Sequence, residues 1–130
     1  MQNYNIFKMK KLFLFILIIP VFLFSQEVEK NEKKLIHVVL LKFKDKVDVD
    51  LLEKESYKYL SAIEGVNDFI FSKNISPEGK SKGFTHAFVM EFSSEFDRDS
   101  IYLPHPKHLT FAKKYWRDNV EDFVVYDYWK

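Results

Sequence analysis

Three strand-like segments of this sequence carry apolar residues at consecutive positions rather than at every second position. They are residues 35–41 (LIHVVLL), 84–90 (FTHAFVM) and 123–128 (FVVYDY). Successive side chains of a strand point to opposite faces, so an antiparallel sheet with one face in water alternates apolar and polar residues. Here apolar groups fall on both faces, and the helices of one small domain cover only one of them. We therefore expect the second face to pack against another sheet.

The length of the chain limits where that second sheet can come from. A chain of 130 residues holds one domain, because single domains commonly run to about 100–200 residues. A monomer with a full face of Phe, Val and Tyr in water would exceed the apolar patch of roughly a few hundred Å² that soluble monomers tolerate. A homodimer that pairs through the sheet face is the economical solution. Long loops or Lys-rich helix ends over that face are the alternative.

Glycine and proline divide the sequence into regular elements. Alternating and β-branched patterns predict strands at residues 35–44, 66–75, 84–93 and 120–129. Helical spacing and capping residues predict helices after Asp48 or Asp50, over residues 94–103 with Ser94 as the N-cap, and from Pro106 onward. The order β-α-β-β-α-β predicts an α+β fold of the ferredoxin-like type.

The start of the chain has the layout of a secretory signal peptide, predicted over residues 1–25. A basic stretch that ends at Lys11 precedes the apolar run 12–24, and Ser25 follows it. That run is shorter than the roughly 20 residues that a membrane-spanning helix needs, which favours removal of the segment over anchoring. The large Leu23 near the cleavage point leaves an uncleaved anchor as the alternative. We expect an exported protein, periplasmic or extracellular, with no membrane contact after removal of the signal.

Residues 26–34 are polar and predict a solvated linker, so that the folded domain spans residues 35–130. Residues 1–34 hold six Lys and three Glu; without them the totals of 20 basic and 19 acidic residues become 14 and 16, a formal charge of −2. Nucleic-acid binding depends on clustered Lys and Arg, so we expect no nucleic-acid partner. The chain has no Cys and therefore no disulfide framework.

The segment 101–111 (IYLPHPKHLTF) gathers the candidate catalytic residues Tyr102 and His108. His108 falls about three positions into the helix that Pro106 opens, where unpaired amides and the positive end of the helix dipole disfavour a charged imidazole. A neutral imidazole at pH 7 is suited to act as a general base. Tyr102 lies six residues earlier and could donate its hydroxyl to a carbonyl oxygen that gains negative charge.

His37 and His86 lie in mid-strand among apolar residues, where each needs a hydrogen-bond partner or costs about 1–3 kcal/mol. If both face the helices, they line one cavity with Tyr102 and His108 and act as substrate-binding residues. A satisfied core histidine is the alternative for each. The spacing of His105 and His108 raises the question of a metal site, but Pro106 places His105 before the helix begins, where it caps or contacts backbone. We expect no metal and no cofactor.

Four stretches, LIHVVLLKFK, GFTHAFVMEFSS, YLPHPKHLTF and VVYDYW, resemble the stress-responsive A/B barrel (Dabb) family from residue 35 onward. HPKH followed by a terminal DY is the most specific part of the resemblance. The family implies ferredoxin-like protomers that pair into a dimeric α/β barrel. Its polyketide-cyclase chemistry implies His37, His86, Tyr102 and His108 as pocket residues. Phe84, where a tyrosine is common, and Pro104 depart from the family pattern, so pocket shape and substrate do not carry over.

These observations lead to two functional hypotheses. In the first, the protein is an exported homodimer that binds a small hydrophobic or phenolic molecule in a His/Tyr-lined pocket. In the alternative, it is a cyclase or lyase that performs aldol-type carbon–carbon chemistry on a β-keto or polyketide-like substrate, with His108 as general base and Tyr102 as acid or oxyanion donor. The predicted export disfavours the alternative, because thioesters of coenzyme A are cytoplasmic. Binding is therefore the leading hypothesis.

Overall fold

The structure, a computed structural model, describes residues 32–130. The predicted signal peptide (1–25) and most of the predicted linker (26–34) lie outside these residues. The strands are β1 (Leu35–Phe43), β2 (Val66–Lys73), β3 (His86–Phe92) and β4 (Val120–Trp129). Two α-helices, α1 (Val49–Ser56) and α2 (Pro106–Phe111), occur in the described part, with π-helical segments at Tyr57–Ser61, Asp97–Tyr102 and Ala112–Trp116.

The strands form one antiparallel sheet in the order β2-β3-β1-β4. With the helices on one side, this confirms the predicted ferredoxin-like α+β fold. β3 begins two residues later than predicted, because the Phe84 N–H donates to the Ser81 carbonyl within the preceding turn. The other strands begin at the predicted residues.

The helix starts follow the predicted capping chemistry. The Asp48 carboxylate accepts a hydrogen bond of 2.9 Å from the Leu51 N–H, and Ser94 Oγ accepts one of 3.1 Å from the Asp97 N–H. Pro106 occupies the first turn of α2, where its missing N–H costs nothing. The segment predicted as a helix over 94–103 is largely π-helical, which widens the turn that carries Tyr102.

The core lies between the sheet and the helices. On β1, Leu35, Val39 and Leu41 are buried on the helix side, and they pack with Leu52 and Leu60. Strand periodicity points the intervening β1 residues the other way, toward a second surface that we call the outer face. The large apolar residues of the outer face are Ile36, Val38, Leu40, Ile70, Val89, Val124, Tyr126 and Tyr128.

β4 is the least covered strand of the sheet. Phe123 and Val125 lie on its helix side, yet each is about half exposed, at 50% and 49%. The helices therefore stop short of β4 and leave a space beside it. Across residues 32–130, no helix has the length and apolarity to span a membrane.

Candidate functional site

A cavity of about 460 Å³ opens between the helix side of the sheet and the chain segment 98–116. One wall is polar and contains three of the four predicted site residues. That wall consists of His37, Arg98, Tyr102, His108 and Asp127. The sheet centre and the start of α2 thus converge on one space, as the sequence predicted for these three residues.

His108 has a defined tautomer in this wall. Its Nδ1 lies 2.8 Å from the Leu103 carbonyl oxygen. A carbonyl only accepts hydrogen bonds, so Nδ1 carries the proton and Nε2 carries the lone pair. Burial lowers the pKa of His108, although the hydrogen bond to Leu103 opposes this shift. The predicted neutral imidazole is therefore favoured, and its main cause is burial rather than the helix dipole.

Tyr102 lies against His108, with the ring centroids 4.7 Å apart. The side chain is only 2% exposed, and burial raises its pKa. The phenol therefore remains protonated at neutral pH and is available as a hydrogen-bond donor. Among residues 32–130, its hydroxyl makes no hydrogen bond, and the side chain lines the cavity. Tyr102 is thus a donor at the edge of the cavity that makes no hydrogen bond to the described residues.

His37 is held by a carboxylate that the sequence analysis did not assign to the site. Its Nδ1 lies 2.6 Å from Asp127 Oδ1, and Arg98 Nη1 lies 2.5 Å from Asp127 Oδ2. The DY pair of VVYDYW contributed to the family resemblance, and that motif was the available signal for Asp127. Arg98 gave no such signal, because a lone Arg among acidic residues is typical of a solvated surface.

His86 does not line this cavity, so the expectation that His37 and His86 share one space is wrong. In the β1–β3 register His37 pairs with Met90, and His86 pairs with Leu41. Four residues along a strand correspond to about 13 Å. His86 stacks with Phe71, at 5.3 Å between ring centroids, and hydrogen-bonds to Thr85 Oγ1 at 2.9 Å. It lines a separate groove toward the other end of the sheet, together with Glu53, Phe71 and Lys73.

His105 acts as the predicted backbone cap. Its Nδ1 accepts a hydrogen bond of 3.1 Å from the Lys107 N–H at the start of α2. The lone pair that a metal would need is therefore engaged. Within the described residues, no group of three or more His, Cys, Asp or Glu side chains is placed to hold a metal ion.

The opposite wall of the cavity is aromatic and aliphatic. Phe88 lies at its centre, with ring centroids 6.0 Å from both Phe111 and Trp116. Trp116 in turn contacts Phe123 at 5.1 Å, edge to face. Val39, Met90 and Val125 also belong to this apolar surface. A molecule in the cavity would meet hydrogen-bonding groups at one end and rings at the other.

The polar wall combines a hydrogen-bond acceptor and a donor whose rings are in contact. His108 Nε2 can accept a proton or a hydrogen bond, and the Tyr102 hydroxyl can donate one. This pair matches a phenol, an enol or a carbonyl compound. It also has the two groups that removal of a proton next to a carbonyl requires, a base and a donor for the oxygen.

Comparison with known proteins relates the chain to one family. A family profile described as "Stress responsive A/B Barrel Domain" matches residues 35–130, which include every residue of the cavity. Olivetolic acid cyclase of Cannabis sativa is 30% identical over 96 residues, which span 71% of this chain and 92% of the cyclase.

Solved structures share the fold. A Dabb family protein with a ferredoxin-like fold from Mesorhizobium loti MAFF303099 is 29% identical, with a TM-score of 0.64 over 74% of this chain and 95% of that one. A dimeric protein of unknown function from Bacteroides fragilis NCTC 9343 is 22% identical, with a TM-score of 0.57 over 73% of this chain and 94% of that one. The second likeness concerns the fold alone.

Proposed function

Because this chain belongs to the stress-responsive A/B barrel domain family, we propose that its cavity binds a small, largely apolar molecule with a phenolic or carbonyl oxygen. One observation carries the proposal: His37, Tyr102 and His108 share one wall of a cavity of about 460 Å³ whose other wall is aromatic. The Tyr102 hydroxyl makes no hydrogen bond to residues 32–130, so it is available to donate to a ligand oxygen in the cavity.

The ligand's oxygen lies at the polar wall in this proposal. A phenol donates its O–H to His108 Nε2, and its oxygen accepts from the Tyr102 hydroxyl. The hydrocarbon part packs against Phe88 and Trp116, where each Å² of apolar surface removed from water contributes about 25 cal/mol. Arg98 adds little attraction for an anion, because Asp99 and Asp127 already neutralise it.

Isothermal titration calorimetry with 4-butylphenol tests this binding. We expect saturable one-to-one binding to the wild-type chain and roughly tenfold weaker binding to His108→Gln, the effect of about one lost hydrogen bond. His86→Gln is the matched comparison, since that histidine lies outside the cavity, and it should bind like wild type. Equal affinity for wild type and His108→Gln would contradict the proposed pose.

A second candidate function is aldol-type cyclase or lyase chemistry, and the His108–Tyr102 pair is the observation that favours it. His108 Nε2 would take a proton from the carbon next to a carbonyl, and the Tyr102 O–H would stabilise the enolate oxygen. Olivetolic acid cyclase is the relative whose name indicates ring closure. This candidate needs a diffusible β-keto or polyketide-like substrate if the protein is exported.

Deuterium exchange separates the two candidates without knowledge of the natural substrate. 4-Phenylbutan-2-one in D₂O should lose the NMR signals of the protons next to its carbonyl faster with wild-type protein than with His108→Gln. If 4-butylphenol binds and neither protein accelerates the exchange, binding without proton abstraction is the function that remains.

We also propose that the protein is a homodimer paired through the outer face. Tyr126 is 63% exposed there, and Val124 and Tyr128 lie beside it on β4. Ion pairs stand at both ends of this apolar surface, Lys34–Glu91 at 2.6 Å and Lys42–Glu121 at 2.7 Å. An apolar centre with a polar rim is the usual anatomy of a protein interface. The Bacteroides fragilis protein, described as dimeric, agrees with this proposal.

Export remains part of the proposal. It depends on the basic and apolar composition of residues 1–25, which lie outside the described residues. Fractionation of the source cells with an antibody to the domain tests it: the protein should occur in the periplasm or medium, with an N-terminus at about Gln26. A protein found only in the cytoplasm with residues 1–25 intact would contradict export.

A further inference from the structure

Arg98 joins two parts of the cavity wall. It stands on the π-helical segment Asp97–Tyr102 and reaches β4, where Nη1 lies 2.5 Å from Asp127 Oδ2. The other side of the guanidinium binds Asp99, with Nε–Oδ1 at 2.7 Å and Nη2–Oδ2 at 3.1 Å. Arg98 is 17% and Asp127 26% exposed, so their bond is partly shielded from water, whereas Asp99 is 51% exposed. Charge-assisted bonds of this kind hold a side chain in one orientation.

Asp127 passes this restraint to His37. Its Oδ2 is occupied by Arg98, and its Oδ1 lies 2.6 Å from His37 Nδ1. An ionised carboxylate only accepts hydrogen bonds, so His37 Nδ1 carries a proton, and in the neutral ring Nε2 carries the lone pair. Asp127 lies directly opposite His37 in the β1–β4 register. Rotation of the carboxylate would break the His37 contact, and Arg98 opposes that rotation.

An anion-binding role for Arg98 is disfavoured by charge. Two carboxylates, from Asp99 and Asp127, already contact the single guanidinium. An anionic ligand would have to displace one of them and would meet a surplus of negative charge. The same geometry is well suited to fix a carboxylate in place.

We infer that Arg98 is a positioning residue for the cavity: it orients Asp127 so that His37 keeps one tautomer, with Nδ1 protonated and Nε2 unprotonated. The inference depends on the proposed function only in treating the cavity as a ligand site. The consecutive contacts Arg98–Asp127 and Asp127–His37 connect the π-helical segment, β4 and β1. A neutral histidine without this restraint would exchange between its two tautomers.

Long-range ¹H–¹⁵N NMR of the histidine side chains tests the inference directly in the purified protein, at a pH where the ring is neutral. Wild-type His37 should show one protonated nitrogen, Nδ1, and one unprotonated nitrogen, Nε2. In Arg98→Met we expect the two ¹⁵N shifts to move toward each other, as expected for a tautomer mixture. Arg98→Lys should restore part of the separation, because an ammonium group can hold one carboxylate oxygen.

Arg117→Met is the matched control, because Arg117 is exposed and makes no side-chain ion pair among the described residues. It should leave the His37 shifts unchanged. The His108 shifts report whether the cavity remains folded in each variant, since that ring is held by the Leu103 carbonyl instead. Unchanged His37 shifts in a folded Arg98→Met protein would overturn the inference.

This readout needs no ligand, so it fails or succeeds independently of the proposed function. If His37 responds to Arg98→Met while 4-butylphenol does not bind, Arg98 positions His37 and the binding proposal is wrong. If 4-butylphenol binds and His37 keeps its wild-type shifts in Arg98→Met, the site binds ligand and Arg98 does not position it.

Discussion

His108 and Tyr102 form a contacting pair with complementary roles, their ring centroids 4.7 Å apart and the rings inclined by 38°. The histidine offers an acceptor and the tyrosine offers a donor, because Leu103 holds the His108 proton on Nδ1 and burial keeps the phenol protonated. A ligand oxygen between them can use both groups. Loss of the donor or of the acceptor should therefore weaken ligand binding, and the two losses can be told apart by separate measurements.

Tyr102→Phe should weaken 4-butylphenol binding by roughly tenfold and leave the free energy of unfolding almost unchanged. The hydroxyl makes no hydrogen bond to the described residues, so its removal breaks no contact of the folded chain, whereas a net hydrogen bond to the ligand contributes about 1 kcal/mol. Calorimetry and urea unfolding of the same sample measure both quantities. Tyr59→Phe, a tyrosine outside the cavity, should change neither. A large loss of stability in Tyr102→Phe would show that the hydroxyl has a structural partner.

Binding of 4-butylphenol should be strongest at neutral pH and weaken as the pH falls below about 6.5, the ordinary pKa of histidine. Burial lowers the pKa of His108, so the imidazole stays neutral until the pH is below that value. A protonated His108 has lost the lone pair that accepts the phenol. Titrations from pH 7.5 downward should show full affinity to about pH 6.5 and a loss that sets in only below it, and an affinity that already falls above pH 6.5 would contradict His108 Nε2 as the acceptor.

The free energy of unfolding should decrease as the pH falls below about 6.5. His86 and His108 both have lowered pKa values in the folded state, chiefly through burial. Above that pH both rings are neutral in the folded and the unfolded chain. Below it the unfolded chain takes up protons first, which favours unfolding. Urea unfolding at several pH values between 5.5 and 7.5 gives the free energy of unfolding as a function of pH. This free energy should change less with pH in the double variant His86→Gln/His108→Gln than in wild type, and an identical pH dependence would contradict this origin.

Phe88→Ala should destabilise the fold by about 3–5 kcal/mol, as expected for removal of a buried aromatic side chain. Phe88 is 1% exposed, and its ring contacts Phe69 on β2 and Phe111 on α2. Phe96, at 65% exposure, is the matched control, and Phe96→Ala should change stability by less than about 0.5 kcal/mol. Thermal and urea unfolding measure the difference. Similar losses in both variants would contradict the assigned core.

Tyr126→Glu should convert the proposed homodimer to a monomer. A charge at the centre of the outer face would be buried without a partner in the dimer, and it would remain in water in the monomer. Light scattering after size-exclusion chromatography measures the change in mass. Ile75→Glu adds the same charge at a loop position that is 91% exposed, and it should leave the dimer intact. A wild-type protein that runs as a monomer would contradict the dimer.

Much of the fold could be predicted because strand patterns and caps are local. Asp48, Ser94 and Pro106 mark helix starts through chemistry that involves residues within one turn. The capping role of His105 could be predicted in the same way, because a residue before Pro106 lies beside the free N–H groups at the start of the helix. The π-helical segments had no such local signal. They widen turns that sequence periodicity treats as ordinary helix.

The site was only partly predictable, because its residues meet through strand register. The sequence predicts both His37 and His86 in mid-strand, whereas His86 is the first residue of β3 and pairs with Leu41, away from His37. Arg98 and Asp127 are 29 residues apart in sequence and meet only through the tertiary contact between the segment Asp97–Tyr102 and β4. Their charges are indistinguishable in sequence from those of a solvated surface. Burial of His108, the cause of its lowered pKa, likewise depends on tertiary packing.

The histidine NMR spectrum during a titration with 4-butylphenol tests the central claim most directly, because it observes the cavity wall residue by residue. The cavity account predicts that the ring signals of His108 and His37 shift to saturation together, while those of His86, about 13 Å away along the sheet, remain in place. Shifts confined to His86, or no shift in any histidine at a saturating concentration, would contradict the assignment of this cavity as the ligand site.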